Sequence, residues 1–247
     1  MSLIPSALRA ASDTLNDVEA LRIATENRYR MLTRDTEDKD GHIRGYGLDE
    51  RDPIVSLTGA TLDALKDQEH ALTLQIQREI RKTPFAGWVK EQKGIGEKQA
   101  ARLLAALGDP YINEQTGEPR TVSQLWAYSG YGRITNGVAN RPKKGMTQED
   151  LFALGNPTVK MRLYMIATSC VKATGGRYRE IYDMERAYHA DAVHNAPCAP
   201  CHAKEAGTPL KPGHQHARAL RKVSKEVLRD LYVIAQRHYE TVEAVAA

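Results

Sequence analysis

The sequence predicts an all-α chain, and three observations carry that prediction. Two long stretches near the start hold almost no Gly or Pro and space their apolar residues at helical intervals. A Gly-Ile-Gly turn at 94–96 lies between two segments that both read as helix. Nowhere does an alternating apolar-polar pattern build a convincing strand ladder, and no internal repeat emerges.

The first stretch, residues 5 to about 37, places Leu8, Leu15, Val18 and Leu32 on one helical face. Residues 38–53 gather Gly41, Gly45, Gly47 and Pro53 among charges and read as a loop. Helical spacing returns over 54–82 with Leu62, Leu65, Leu72 and Ile76. The simplest arrangement is an antiparallel helical hairpin over residues 1–88, each arm roughly 45 Å long at about 1.5 Å per residue. Such an arm rarely buries its stripe alone. A second copy, a partner protein or the chain's own second half is expected to cover it.

Residues 89–247 read as a second helical domain opening on Lys93-Gly94-Ile95-Gly96. The glycines permit a tight turn with positive φ and a close approach to another backbone. Ile95 is expected to point into the core between the flanking helices. The amides of the turn and of the next helix's first residues then remain available to a phosphate oxygen, with Lys93 and Lys98 supplying positive charge. The plain alternative is a helix-turn-helix corner with a Gly-x-Gly linker.

Beyond that helix, Thr121 or Ser123 caps a short helix containing Leu125 and Trp126. Residues 129–148 read as a basic loop with Arg133, Arg141, Lys143 and Lys144. Asn156-Pro157 forms an N-cap and first-turn pair for a helix to about Ala173, facing Leu163, Ile166, Cys170 and Val171 inward. Cys170 reads as a buried hydrophobe. Lys160 and Arg162 lie near the start of this helix, where a phosphate is also expected. A last helix from about His216 to Tyr239 carries Leu220, Val223, Val227, Leu231 and Ile234 at spacings of three and four. Arg218, Arg221, Lys222, Lys225 and Arg229 cover its other faces, as a solvated surface or a nucleic-acid contact.

Charge agrees with that division. Residues 1–92 carry 13 Lys and Arg against 16 Asp and Glu, whereas residues 93–247 carry 22 against 15. The basic surplus begins at the glycine turn, as a nucleic-acid-binding half requires. No apolar run is long enough to span a membrane, and the N-terminus has no signal-peptide pattern. Three cysteines do not make a secreted disulfide scaffold. A soluble cytoplasmic protein is expected.

Five of the eight histidines and two of the three cysteines fall within residues 189–216. Cys198-x2-Cys201 is the spacing by which two thiolates reach one tetrahedral metal. His214 and His216 complete a Cys2His2-like structural zinc site, with His202 and His194 as alternates because a two-residue histidine spacing is unusual. A loop holding Pro197, Pro200, Pro209 and Pro212 builds no core, so a metal would explain its order. A disordered histidine-rich loop and a thiol redox pair are the other readings. A catalytic zinc is disfavoured, since no Glu is arranged to activate its water.

Taken together, residues 93–182 and 216–235 resemble the C-terminal domain of insertion-sequence transposases that carry an N-terminal RuvC-like DEDD nuclease domain. That family includes the Piv-type invertase and the bridge recombinases. The matching order is Lys93-Gly94-Ile95-Gly96, Leu103 to Asp109, Ser123 to Gly130, Gly155-Asn156-Pro157 with Lys160, Arg162 and Leu163, and the basic helix around Arg218 to Leu231. The resemblance implies a helix-hairpin-helix that binds DNA. It also implies four acidic metal ligands and a serine nucleophile, and here the chain departs. A helical hairpin stands where the nuclease domain belongs. The stretch comparable to the nucleophile segment, Tyr131 to Gly137, holds no serine, leaving Thr135 as a weak catalytic candidate. The expected function is nucleic-acid binding, with DNA as partner and RNA as the alternative, without catalysis by this chain alone. The competing readings are a transposase or recombinase using a hydroxyl nucleophile, with or without a partner nuclease, and an assembly module acting through the helical arm.

Overall fold

The computed structural model describes residues 3–132, 142, 144–198 and 201–246. The described residues are predominantly helical, in the order α1 (Ser6–Thr33), α2 (Pro53–Ile80), α3 (Ala86–Glu91), α4 (Glu97–Leu107), α5 (Val122–Tyr128), α6 (Gln148–Ala153), α7 (Pro157–Lys172), α8 (Arg177–Tyr188) and α9 (Pro212–Ala246). Among the described residues, pairing of extended backbone is limited to isolated bridges. No helix among them is long and apolar enough to cross a membrane. The chain divides into two compact units, residues 6–79 and residues 80–247 together with the first five.

In the first unit α1 and α2 run antiparallel, joined by residues 34–52. The Arg22 guanidinium meets the Glu69 carboxylate at 2.5 Å across the pair. The amides of Tyr46 and Leu48 bond back to the carbonyls of Met31 and Leu32, which closes the connecting loop onto the end of α1. Leu8, Leu15, Leu62 and Ile76 of the expected stripe are buried. Val18, Leu32, Leu65 and Leu72 are only half covered, and Leu21, Ile23, Ile54 and Leu57 are exposed.

The second unit is organised around α7, which packs against α4, α8 and α9. Its buried side chains Val159, Leu163, Ile166, Ala167 and Cys170 recur at three and four residues, so one stripe faces the core. α9 supplies Leu220, Val223, Val227, Leu228, Leu231 and Ala235. Burial raises the Cys170 thiol to about 12, so it behaves as a small hydrophobe.

Polar ties join helices far apart in sequence. Trp88 Nε1 donates to the Tyr178 hydroxyl at 3.1 Å, which donates to Asp230 Oδ2 at 2.6 Å, linking α3, α8 and α9. Trp126 Nε1 donates to the Lys225 carbonyl at 3.0 Å, fixing α5 on α9. The Tyr239 hydroxyl donates to Asp109 Oδ2 at 2.5 Å.

The caps follow the local chemistry. Thr121 and Gln124 form a reciprocal capping box at α5. Asn156 Oδ1 accepts from the amides of Thr158 and Val159 at 3.0 and 3.1 Å, with Pro157 in the first turn of α7. Three elements depart from the sequence expectation. α6 forms where no helix is expected, opened by reciprocal bonds between Thr147 and Asp150. α8 forms over residues that show no apolar stripe, because its one fully buried residue is a tyrosine whose hydroxyl is paired. α9 begins at Pro212 rather than near His216, since a proline fits a helix's first turn, where no amide bond is needed.

Candidate nucleic-acid interface and metal centre

The Gly-Ile-Gly segment joins α3 to α4, and its two glycines do different things. Gly94 has φ +86°, and a methyl group there would stand 2.7 Å from Cys170 Cα and 3.0 Å from its amide nitrogen. The turn therefore lies directly on the backbone of α7, closer than any side chain allows. Ile95 is buried beside it. Gly96 is extended, at φ −90° and ψ 153°, and serves as the N-cap of α4. Nothing lies within 4 Å of where its Cβ would be. Gly96 offers no side-chain cap, and the first amides of a helix have no partner within it. The Cβ side of this N-cap thus meets open space among the described residues.

Two cations border this space differently. Lys93 is exposed, and its alkyl stem lies over the α7–α8 connection, 3.0 Å from a methyl built on Gly176. Lys98 is half buried in the first turn of α4. An acidic group also stands there. Glu97 opens α4 and is held by Arg81 through two bonds of 2.6 and 2.7 Å. That fork holds the Glu97 carboxyl below its ordinary range.

The other candidate phosphate-binding cations divide. Lys144 is exposed. Lys160 is half buried, with its stem against Gly130. Arg162 is buried within α7 and does not reach the outer surface. At the start of α7, the Asn156 side chain already occupies two of the first-turn amides. Arg133, Arg141, Lys143 and Thr135 lie outside the described residues.

The basic residues of α9 are largely spent on the fold itself. Lys222 and Arg229 converge with Arg177 on Glu226, and Arg177 also pairs with Asp230. Lys225 Nζ stands 3.8 Å from the centre of the Trp126 ring. Arg221 donates to the Tyr131 carbonyl at 2.8 Å and to that of Gly132. Burial lowers the pKa of both Arg221 and Lys225. The sequence pattern hid only the tertiary part of this. The Trp126 ring comes from α5, Arg177 from α8 and the carbonyls bonded by Arg221 from the backbone after α5, whereas Lys222 and Arg229 meet Glu226 within α9 itself.

Two motifs about 25 residues apart meet here. A methyl on Gly155, at φ +84°, would stand 2.6 Å from the Ala127 carbonyl oxygen and 2.7 Å from Gly130 Cα. The Asn156 amide donates to the Tyr128 carbonyl at 2.7 Å. The Tyr-Ser-Gly and Gly-Asn-Pro motifs are therefore two sides of one backbone crossing that seats α5 against the start of α7.

The cysteine-histidine segment is ordered by a narrow ladder. Leu210 N bonds to Ala192 O at 2.9 Å, His194 N to Thr208 O at 2.8 Å, and Gly207 N to His194 O at 2.7 Å. Inside it a tight knuckle forms as Cys198 and Ala203 exchange bonds of 2.9 and 3.1 Å, with His202 at φ 54°. His194, Cys198, Cys201 and His214 converge, with their potential ligand atoms all within 4.8 Å of one another. His214 Nδ1 stands 3.8 Å from Cys198 Sγ and 3.4 Å from Cys201 Sγ. His216 is outside this group, and its Nδ1 meets the Tyr182 hydroxyl at 2.7 Å. The His202 side chain is exposed.

The chain is similar to an insertion-element protein. It is 26% identical over 185 residues to the insertion element IS110 uncharacterized 43.6 kDa protein of Streptomyces coelicolor. The match takes in 74% of this chain and 43% of that relative, so the chain spans less than half of the relative's length. No family description matches the chain, and no solved structure matches it significantly.

Proposed function

We propose that this chain binds nucleic acid, DNA in the first place, as a relative of mobile-element transposases, and holds the phosphate backbone at the start of α4. The observation that carries this reading is the uncapped, open Gly96. A ligand backbone can approach there to meet α4's first amides and the helix dipole. Lys93 and Lys98 add charge on either side. α3, the Gly-Ile-Gly turn and α4 together make the helix-hairpin-helix of this reading. The likeness to an insertion-element protein supports DNA as the partner. A structural zinc ion in the cysteine-histidine segment belongs to the same reading. So does self-association or partner docking through α1 and α2, supported by exposed Leu21, Ile23, Ile54 and Leu57.

Binding is read out by a gel-shift salt series with duplex DNA, single-stranded DNA and RNA. If only Lys93 and Lys98 neutralise phosphates, raising salt from about 50 to about 200 mM weakens duplex binding roughly tenfold, and further contacts steepen this. Retention that ignores salt, or no retention of any of the three, sinks the proposal. Supercoiled plasmid kept with the protein and Mg²⁺ or Mn²⁺ is expected to stay intact. Nicking that Thr135→Ala abolishes would make the chain an enzyme.

Glu97 yields a second expectation. Its carboxylate stands in α4's first turn, where a bound phosphate would feel it. Removing one like charge at about 6 Å in near-aqueous surroundings is worth about 0.7 kcal/mol, or roughly threefold in affinity. Glu97→Gln should therefore tighten DNA binding about threefold at low salt, in the same assay. Weaker binding would place the phosphate elsewhere.

A further inference from the structure

The geometry points to a closed, four-ligand metal site made by His194 Nε2, Cys198 Sγ, Cys201 Sγ and His214 Nδ1, taking zinc; this assignment rests on the structural-zinc reading above.

The first argument is an orphaned atom. His194 is 3% exposed, and its Nε2 is buried with no hydrogen-bond partner among the described residues. A buried imidazole nitrogen left unpaired is costly, and nearly all such groups in folded proteins are satisfied. Here the atom lies among two thiols and a second imidazole, a donor set that suits a borderline-soft cation.

The second argument is the spacing. A tetrahedral zinc with bonds of about 2.3 Å to sulfur and about 2.0–2.1 Å to nitrogen separates neighbouring sulfur and nitrogen ligands by about 3.6 Å. The two sulfur-to-His214 distances, 3.4 and 3.8 Å, bracket that value. Both cysteines are free thiols and buried, at 8% and 6% exposure.

The third argument is how the backbone presents the ligands. His194 comes from the ladder, Cys198 and Cys201 from the knuckle, and His214 from the third residue of α9. Three separately built pieces converge on one point. Among the described residues the local buried cluster is small, namely Cys198, Cys201 and Ala203. An ion supplies the cohesion that so small a core does not. With four protein ligands no position remains for water or substrate, so the site is structural. His216, next but one along the helix, is already engaged by Tyr182.

Metal content and the cobalt-substituted spectrum of the full chain test this. The wild type should hold one zinc per chain, and its Co²⁺ form should show tetrahedral bands with the charge-transfer intensity of two thiolates. His194→Ala should weaken metal binding by more than about 100-fold, beyond what losing a mere supporting partner costs. Because that variant risks misfolding, His194→Cys is the deciding one. It should retain one metal and raise the thiolate charge transfer by about half, from two sulfurs to three. His216→Gln should leave stoichiometry and spectrum unchanged. An unaltered spectrum in His194→Cys, or metal loss in His216→Gln, overturns the ligand assignment while leaving a zinc site in place. A wild type that takes up no Zn²⁺ or Co²⁺ at all overturns the zinc reading together with the assignment.

Discussion

Gly155→Ala is expected to cost the second unit roughly 3–5 kcal/mol and to lower its melting temperature by roughly 10 °C or more. Two penalties act together. At φ +84° an L-residue is strained, at about 1–2 kcal/mol. The new methyl would also meet backbone, with the Ala127 oxygen at 2.6 Å and Gly130 Cα at 2.7 Å. Backbone cannot swing aside as the end of a side chain can, so the crossing between α5 and α7 must open. The Asn156–Tyr128 bond that closes it would be lost as well. Gly145→Ala separates the two penalties, because Gly145 has φ +89° with nothing within 4 Å of its Cβ position. It should lose only the conformational part. Equal melting temperatures for the two variants would refute the crossing as a point of close packing.

The second large effect divides Gly94 from Gly96. Gly94→Ala should destabilise the fold by about 2–4 kcal/mol, since positive φ combines with a methyl 2.7 Å from the α7 backbone. Gly96→Ala should leave the melting temperature within a few degrees, because its Cβ enters open space at an ordinary extended conformation. Yet that methyl would stand where a phosphate is proposed to approach, so DNA affinity should fall about tenfold with the fold intact. Thermal melts and gel shifts on both variants check this. Gly96→Ala that binds like wild type removes the α4 start from the mechanism, whatever Gly94→Ala does to the fold.

Much of the helical framework was legible before any coordinates, for physical reasons. With glycine and proline nearly absent and apolar residues at helical spacing, α1 and α2 announce themselves to within a few residues. The Asn156-Pro157 and Thr121 caps stand where their side-chain chemistry places them. α8 was hidden because its burial rests on Tyr178, paired through its hydroxyl, rather than on an apolar stripe. The glycine turn was legible as a motif, but not the division of labour within it. Which glycine touches backbone depends on α7, some 75 residues away. Similarly, spacing alone ranked His216 with His214. Only the ladder that sets His194 beside the knuckle brings it, rather than His216, among the cysteines. Helix periodicity is local and sequence displays it. Charge pairing and metal geometry are settled by partners, so the cations of α9 looked available while Glu226 on the same helix, the Trp126 ring and two distant carbonyls were holding them.

The bond from Leu210 to Ala192 brings the two ends of the cysteine-histidine excursion together at a single neck between α8 and α9. Residues 193–209 are thus a closed appendix, entered and left at one point, and replacing them with a short turn between Ala192 and Leu210 should leave the helices on either side in their seats on α7.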